Sequence, residues 1–483
     1  MSTTNSSRQA VTVIAGDGVG PEVVRATIEL VEACCPRPPR WEYAQAGGRA
    51  FERGVVSGVP AETLESLGRT AVALKGPLAT PIGHGGKSAN VTLRKVFETF
   101  ANIRPARELP GVPSAFAGRG IDLVIVRENV EDLYAGIEHM QTPSVAQCLK
   151  LVSRLGSSRI SHAALALAAA EGRSSVSAAT KANIMKLTEG LFKEEFEKAA
   201  QNYPGIDTRH LLIDNCAHQL VMKPEQFDVI VTTNMNGDIL SDLASGLVGG
   251  LGFAPSANIG YDVAMFEAVH GTAPDIAGSD SANPTAMVLS AVMMLRHLAE
   301  FTAADALEQA LFATLEDGLH TCDVPGDAPL GTQAFAAAVG ERIGRSSQWP
   351  SRSRDEFKMP VITAQESSTD LGSRSKVGLD VFIESDQAPE QIAQRLQQVT
   401  AGNSLQLTMI SNRGTQVWPA WGSSPTCIDH YRCRFTLESS GLWTDEIVGH
   451  LLAQVSSAYR WMHVEKLELH NGQPAFTKAQ GQN

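Results

Sequence analysis

The segment Asn236-Gly237-Asp238-Ile239-Leu240-Ser241-Asp242 places two carboxylates four residues apart. On a helix beginning after Gly237, Asp238 and Asp242 project from one face, where oxygen donors of this kind share a hard divalent cation. The same spacing suits acids that complement the N-terminal end of a helix dipole, and spacing alone does not choose between the two. A second group is cationic: Arg94 in Ser88-Ala89-Asn90-Val91-Thr92-Leu93-Arg94, then Arg104, then Arg127 closing the apolar run Ile121 to Val126. Guanidinium forks match carboxylates in bidentate fashion and keep their charge when partly buried. If the three converged they would hold a substrate with several carboxylates, although their separation along the chain does not establish convergence. Lys181, in Thr180-Lys181-Ala182-Asn183-Ile184-Met185-Lys186, and Tyr134, in Glu131-Asp132-Leu133-Tyr134-Ala135-Gly136, have side chains able to move protons. Near the start, Gly16-Asp17-Gly18-Val19-Gly20-Pro21-Glu22 approaches a dinucleotide fingerprint, but Pro21 stands at its third glycine. This turn reads equally as one that only packs a helix.

Positioning such groups requires a layered scaffold. An apolar run from Ala10 to Ile14, the glycine turn and a helical pattern from Glu22 to Val31 begin an α/β alternation. It returns at Ala71 to Lys75, Ile121 to Arg127 and Phe227 to Thr232, and in a helix from Pro284 to Leu298. From Ser346 to Lys376 the composition turns to Ser, Arg, Pro, Gln and Asp without periodicity, as in a linker. A further module follows. Val377, Leu379, Val381 and Ile383 alternate as a strand, as do Leu405, Leu407 and Met409, and Tyr431, Cys433, Phe435 and Leu437. Ile392, Leu396 and Val399 mark one helix, and Ile447, Leu451 and Val455 another, capped by Thr444-Asp445. Their order predicts a small α+β sandwich.

A chain of 483 residues is expected to form two or three domains. A composition that is 43% hydrophobic and 19% charged excludes wholesale disorder. The net charge of -12 argues against nucleic acid as a main partner, so an acidic ligand would need a local cationic pocket. No run is apolar for long enough to cross a bilayer, and the polar residues Met1 to Gln9 lack a signal-peptide core, so no membrane partner and a cytoplasmic location are expected. The seven cysteines are scattered and lack zinc-site spacing, and read as reduced thiols.

Taken together and in order, Gly16 to Glu22, Lys75 to Pro81, Ser88 to Arg94, Arg127 to Gly136, Lys181 to Met185, Asn236 to Asp242 and His270 to Gly278 identify a resemblance. The chain resembles the β-decarboxylating dehydrogenases, which include isocitrate, 3-isopropylmalate, homoisocitrate and tartrate dehydrogenases. It is especially similar to bacterial isocitrate dehydrogenases with a C-terminal extension, through Phe476-Thr477-Lys478-Ala479-Gln480. The resemblance implies a two-domain α/β fold of the isocitrate/isopropylmalate dehydrogenase type, not a Rossmann fold, followed by a small C-terminal α+β domain. The large domain would take residues 1–103 and 260–345, and the small domain, with its dimer-forming segment, residues 104–259. A linker at 346–374 and the C-terminal domain at 375–483 would follow. A homodimer with shared active sites is implied, with a higher oligomer also compatible.

By this resemblance Ser88, Asn90, Arg94, Arg104 and Arg127 bind substrate, with the arginines on its carboxylates. Asp238 and Asp242, with Asp214 of the other subunit, look like ligands of Mg²⁺ or Mn²⁺. Lys181, also donated across the dimer, is similar to the residue that helps remove the hydroxyl proton, and Tyr134 to the one that protonates the product carbanion. Ser88 and Asn90 can donate to a third carboxylate, which favours isocitrate over homoisocitrate or 3-isopropylmalate. A non-catalytic, isocitrate-binding regulatory subunit is the alternative of a different class. The cofactor-binding set would be Thr80, Asn183, His270, Gly271, Thr272, Ala273, Asp275, Ile276 and Asn283. Relatives that use NADP are similar in carrying Lys and Tyr where this chain has Asp275 and Ile276. At about 4 Å and an effective dielectric of ~20, a carboxylate facing the 2'-phosphate costs on the order of 4 kcal/mol. The expected cofactor is therefore NAD, and the expected reaction is NAD-dependent conversion of isocitrate to 2-oxoglutarate and CO2.

Overall fold

A computed structural model describes residues 9–80, 88–326, 328–351, 357–363, 372–420, 422, 425–438 and 441–482. Met1 to Arg8, Pro81 and the linker stretches 352–356 and 364–371, which figure in the expectations above, lie outside the described residues. The chain divides into two units, one of residues 1–135 with 150–367 and one of residues 136–149 with 368–483.

The first unit is organised by a ten-stranded mixed sheet. In spatial order its strands are Arg40–Ala44, Ala10–Ile14, Val72–Lys75, Ala264–Ala268, Pro255–Ile259, Ala101–Arg107, Asp122–Glu128, Val229–Thr232, Ser175–Thr180 and Asp207–Leu212. The strands on either flank pair in parallel, joined through helical crossovers. In the middle, Pro255–Ile259 runs antiparallel to both of its neighbours, and Ala101–Arg107 runs antiparallel to Asp122–Glu128. Apolar runs without alternation, such as Val72–Lys75 and Val229–Thr232, are buried on both faces, as the inner strands of a covered sheet must be. The Thr285–His297 and Phe301–Glu316 helices bury most of their length in the same core, including Met287, Val288, Leu307 and Leu311.

The Asn234–Leu247 helix begins before the glycine at which the sequence placed its start. The Asp132 carboxylate reaches across from a loop and accepts the backbone N–H of Met235 at 2.9 Å, satisfying a free donor of the first turn from outside the helix. That capping residue lies 103 positions away, out of reach of any local signal.

The second unit contains a six-stranded antiparallel sheet in the order Thr415–Trp418, Leu405–Asn412, His430–Leu437, Arg374–Glu384, Arg460–His470 and Gln473–Pro474. Two helices, Pro389–Val399 and Asp445–Ser456, bury Ile392, Leu396, Leu451 and Val455 in one core with Leu379, Val381, Ile383 and Phe435. Thr444 caps the second helix, its hydroxyl accepting the N–H of Ile447 at 3.3 Å. The predicted α+β sandwich is thus present. An addition from far upstream, the hairpin of Glu138–Thr142 and Val145–Cys148, joins this unit through Ser144, which donates to Asp429 at 2.6 Å.

Candidate active site

The sheet brings Arg104 and Arg127 together from adjacent antiparallel strands, and the Asn234–Leu247 helix lays its first turns across them. Asp238 and Asp242 do share a helix face: the Arg104 Nη1 lies 3.4 Å from Asp238 Oδ1 and 3.5 Å from Asp242 Oδ1, and donates to Ser241 Oγ at 2.7 Å. Arg127 donates through Nε and Nη2 to Asn234 Oδ1 at 3.0 and 2.8 Å, and pairs with Asp238 through Nη1. Gly237 makes this crossing possible, because a Cβ there would stand 2.6 Å from Arg127 Cγ. The Arg127 guanidinium also lies 5.0 Å from the centre of the Tyr134 ring, whose hydroxyl donates to Asp238 Oδ2 at 2.7 Å.

Arg94, on the Ala89–Val96 helix, approaches the same charge field from the other side and meets Glu267 at 3.3 Å. Glu267 also pairs with the buried Lys75, and accepts from Asn258 at 2.7 Å. Lys75 in turn donates to Asn90 Oδ1 at 2.9 Å, so this substrate-binding candidate is already oriented. Ser88, at the residue before the helix that carries Arg94, lies 3.1 Å from Thr80 through their hydroxyls.

The pocket is strongly cationic, and its groups feel one another. Burial, then Arg94, hold the Arg104 guanidinium below its ordinary value. Burial, then Arg104 and Arg94, bring Arg127 down to about 10, which leaves it charged at neutral pH. Burial works to raise Asp238, but Arg127 and Arg104 outweigh it and keep the carboxyl below its usual range. Asp242 is raised by burial and by Asp238, so it is the carboxylate still short of positive charge. Two hard oxygen donors on one helix face, one of them under-compensated, fit Mg²⁺ or Mn²⁺ in kind. Among the described residues of one chain, no three His, Cys, Asp or Glu side chains converge as a metal site. Burial, then the hydrogen bond to Asp238, raise the Tyr134 phenol and keep it protonated.

The other predicted residues lie apart from this cluster or at its edge. Lys181 donates to Asp214 at 2.6 Å, and Asp214 is 64% exposed. Asn183 and Thr80 are exposed. The His270–Ile276 stretch is a surface loop leading into the single turn Pro274–Ile276, with Gly271, Ala273, Asp275 and Ile276 exposed. Thr272 accepts the N–H of Val19 at 2.9 Å, and a Cβ on Gly18 would collide with the Thr272 carbonyl. The glycine turn therefore packs against this loop. Within the turn, Asp17 accepts from Gly48 and Ala79. His270 Nδ1 lies 3.0 Å from the Gly271 carbonyl, while its buried Nε2 meets no partner among the described residues, an orphan suited to a nucleotide atom. Asn283 is engaged with Asp323 at 2.9 Å. Sequence reasoning missed Lys75, Glu267, Asn234 and Ser241. A lysine ending the apolar run Ala71 to Lys75 was the one available signal.

Beside Arg127, Glu128 is 4% exposed, and burial pushes its carboxyl up to about 7. The folded state therefore holds a proton that the unfolded chain releases above 4.5. Stability should fall as pH rises from 4.5 to about 7, by about 3 kcal/mol from this group. Glu128→Gln should remove that slope, so urea unfolding at pH 5 and 8 should show the variant gaining on the parent at the higher pH. Equal gaps at both pH values would refute the assignment.

Comparison with known proteins gives the lineage. The family model described as isocitrate/isopropylmalate dehydrogenase matches residues 10–343, and that of the bacterial isocitrate dehydrogenase C-terminal domain matches residues 374–482. A Thermus thermophilus protein named as an NADP isocitrate dehydrogenase is 56% identical over 479 residues, covering 99% of this chain and 96% of its own. A Rickettsia conorii protein with the same name is 38% identical over 483 residues, covering 98% of this chain and 99% of its own. The crystal structure of the TT0538 protein from Thermus thermophilus superposes with a TM-score of 0.96 at 55% identity, covering 100% of this chain and 98% of that one.

These names overturn the expected cofactor. NAD was inferred from Asp275 and Ile276, yet the similar full-length proteins are named for NADP. The physical reason lies in where Asp275 sits. It is exposed on a one-turn surface helix, where a like-charge pair at about 4 Å costs only about 1 kcal/mol in bulk water and the side chain can turn away. Matched over nearly all of its length by both family models and by full-length relatives, this chain belongs to the isocitrate/isopropylmalate dehydrogenase family.

Proposed function

We propose that this chain oxidatively decarboxylates isocitrate to 2-oxoglutarate and CO2, with NADP and Mg²⁺ or Mn²⁺. The observation that carries the reading is the convergence of Arg94, Arg104 and Arg127, each depressing or facing the others' charge, beside an Asp238/Asp242 pair and a protonated Tyr134. An acidic chain that concentrates guanidinium groups in one cleft is built for a polycarboxylate. The names of the full-length relatives support isocitrate and NADP.

Asp238 and Asp242 would hold a hard divalent cation, which would supply Lewis acidity at the substrate hydroxyl, and NADP would supply the hydride acceptor, the hydroxyl proton leaving through Lys181 of the other copy. The chain's own residues do the rest. Arg94, Arg104 and Arg127 hold the carboxylates, and Ser88 and Asn90 donate to the third. Tyr134, kept protonated, delivers its hydroxyl proton to the carbon left after CO2 departs. The Lys181 and Asp214 side chains bond each other, and no hydrogen bond among the described residues joins either side chain to Asp238 or Asp242, which supports their service in the site of a second copy in a homodimer. The lobes at residues 1–103 with 260–345 and at 104–259 would flank the cleft, with Arg94 and Glu267 on one side and Arg104, Arg127 and Asp238 on the other.

Steady-state assay of the purified chain with isocitrate, Mn²⁺ and either nucleotide tests this. NADP reduction stoichiometric with 2-oxoglutarate, with kcat/KM higher for NADP than for NAD, is expected. No turnover with either nucleotide would refute the reading.

A further inference from the structure

Away from the arginine pocket, one basic and two acidic side chains meet in the interior of the first unit. Lys150 Nζ lies 2.7 Å from Asp132 Oδ1 and 2.7 Å from Glu189 Oε1. The Asp132 and Glu189 side chains are 1% and 0% exposed, and that of Lys150 is 13% exposed. A buried arrangement with two carboxylates and one ammonium is costly to form and gains little as a stability device. Burial works to lower the Lys150 ammonium, but the bonds to Asp132 and Glu189 outweigh it and hold the group above its ordinary value.

What distinguishes the cluster is what its carboxylates hold. Asp132 accepts the Met235 N–H at 2.9 Å and so fixes the start of the helix bearing Asp238 and Asp242. The same residue opens the turn Leu133–Ala135, which carries Tyr134, and its backbone sits at φ +66. That left-handed conformation is unfavourable for a residue with a side chain, and is held when its surroundings over-determine it. Its N–H donates to the Leu151 carbonyl at 2.8 Å, which fastens the segment bearing Lys150 alongside. Glu189 accepts the Lys181 N–H at 3.0 Å through Oε2, and approaches Thr233 Oγ1 at 3.3 Å and Asn236 Nδ2 at 3.4 Å through Oε1. Thus one carboxylate holds the Tyr134 turn to the helix, the other holds the Lys181 loop to the same helix, and Lys150 ties the two together.

We propose that Lys150 is a positioning residue for the decarboxylation reaction, its ammonium joining Asp132 and Glu189 so that Tyr134, Lys181 and the Asp238/Asp242 helix keep their productive placement. This rests on the functional reading above. Lys150 need not touch substrate, and the arginines that bind carboxylates hang from other elements. Its loss should therefore appear in turnover and not in substrate capture. Misplacing catalytic groups by about 1 Å can cost up to roughly a hundredfold in rate.

The test compares the full-length protein with Lys150→Met, Lys150→Arg and Glu189→Gln. For Lys150→Met, kcat should fall by roughly ten- to a hundredfold while the isocitrate KM changes by less than about threefold. Deuterium exchange at C3 of 2-oxoglutarate in D2O, which follows proton transfer without hydride transfer, should slow in parallel. Lys150→Arg, which keeps the charge and both donors, should recover part of the loss. If Lys150→Met does not fold, Glu189→Gln keeps the side-chain volume and should show a smaller kcat-selective loss, roughly three- to tenfold. Amide hydrogen exchange at Met235 and Lys181 should accelerate together in either variant, whatever the substrate. A folded variant with parental kcat, or one in which only one of those amides responds, overturns the proposal. A parent protein inactive towards isocitrate overturns the functional reading instead, and the paired amide response is then the measurement that decides the placement.

Discussion

Asp238→Asn should lower kcat/KM for isocitrate by on the order of a thousandfold, the largest catalytic effect expected of a single isosteric change here. The substitution removes one negative charge and almost no volume. That charge faces Arg127 and Arg104 and receives the Tyr134 hydroxyl, so three groups of the site lose their common partner. It is also half of the carboxylate pair suited to a divalent cation, so the Mn²⁺ concentration for half-maximal activity should rise. A pH signature follows with a definite sign. The hydrogen bond to Asp238 and its charge both raise the Tyr134 phenol. With that charge gone and only a neutral amide oxygen left to accept the bond, the phenol should ionise at lower pH, and the alkaline limb of kcat should move to lower pH. A variant within tenfold of the parent, with an unmoved alkaline limb, would sink the assignment of Asp238.

Glu267→Gln should produce the largest loss of stability, about 3 kcal/mol or more at pH 7, because removing one partner of a buried ion pair leaves a cation stranded. Here two cations are affected, Lys75 and Arg94, both buried and both on Glu267. Burial raises the Glu267 carboxyl, but Lys75, then Arg94, outweigh it and bring it down to about 2 from 4.5. A carboxyl lowered on folding contributes stability that is full above 4.5 and is lost as pH falls towards about 2, a difference of about 3 kcal/mol. Lys75 offsets part of this, since burial lowers its ammonium even against Glu267. The carboxylate's contribution prevails, because Asn258 and Arg94 stabilise its charge as well. Urea unfolding should show a gap between parent and variant that is wide at pH 7 and closes below pH 4.5. A gap under about 1 kcal/mol at pH 7 would show that the two cations repartner without Glu267.

Residue types were readable in the sequence where a local rule governs them. The strand Arg374–Glu384 alternates its apolar residues with period two, so Leu379, Val381 and Ile383 declared their face in advance, whereas the burial of Asp380 between them, paired with Arg434, was not announced. The carboxylate pair at Asp238 and Asp242 declared its shared face through helical spacing, although the start of that helix was missed because its cap comes from Asp132. Partnerships made by the fold alone were not readable. Nothing near Lys75 announces Glu267, and nothing near Lys150 announces Glu189. Nor does anything in Glu138 to Cys148 say that this hairpin belongs with residues beyond 368. The cofactor error has a different origin, since one carboxylate was given the weight of a charge partly shielded by protein when the chain displays it in water.

The sheet of the first unit has a mechanical consequence. Ala264–Ala268, Pro255–Ile259 and Ala101–Arg107 are consecutive rungs of one hydrogen-bonded ladder, and on the proposed division into lobes they would join the cleft's two sides. Such a junction cannot swing as a free pivot on a loop. Changing the cleft's width must flex or twist the ladder itself, so the distance between Arg94 and Arg104 is set by a spring with a rest length. A substrate that demanded a wider or narrower gape would work against that spring.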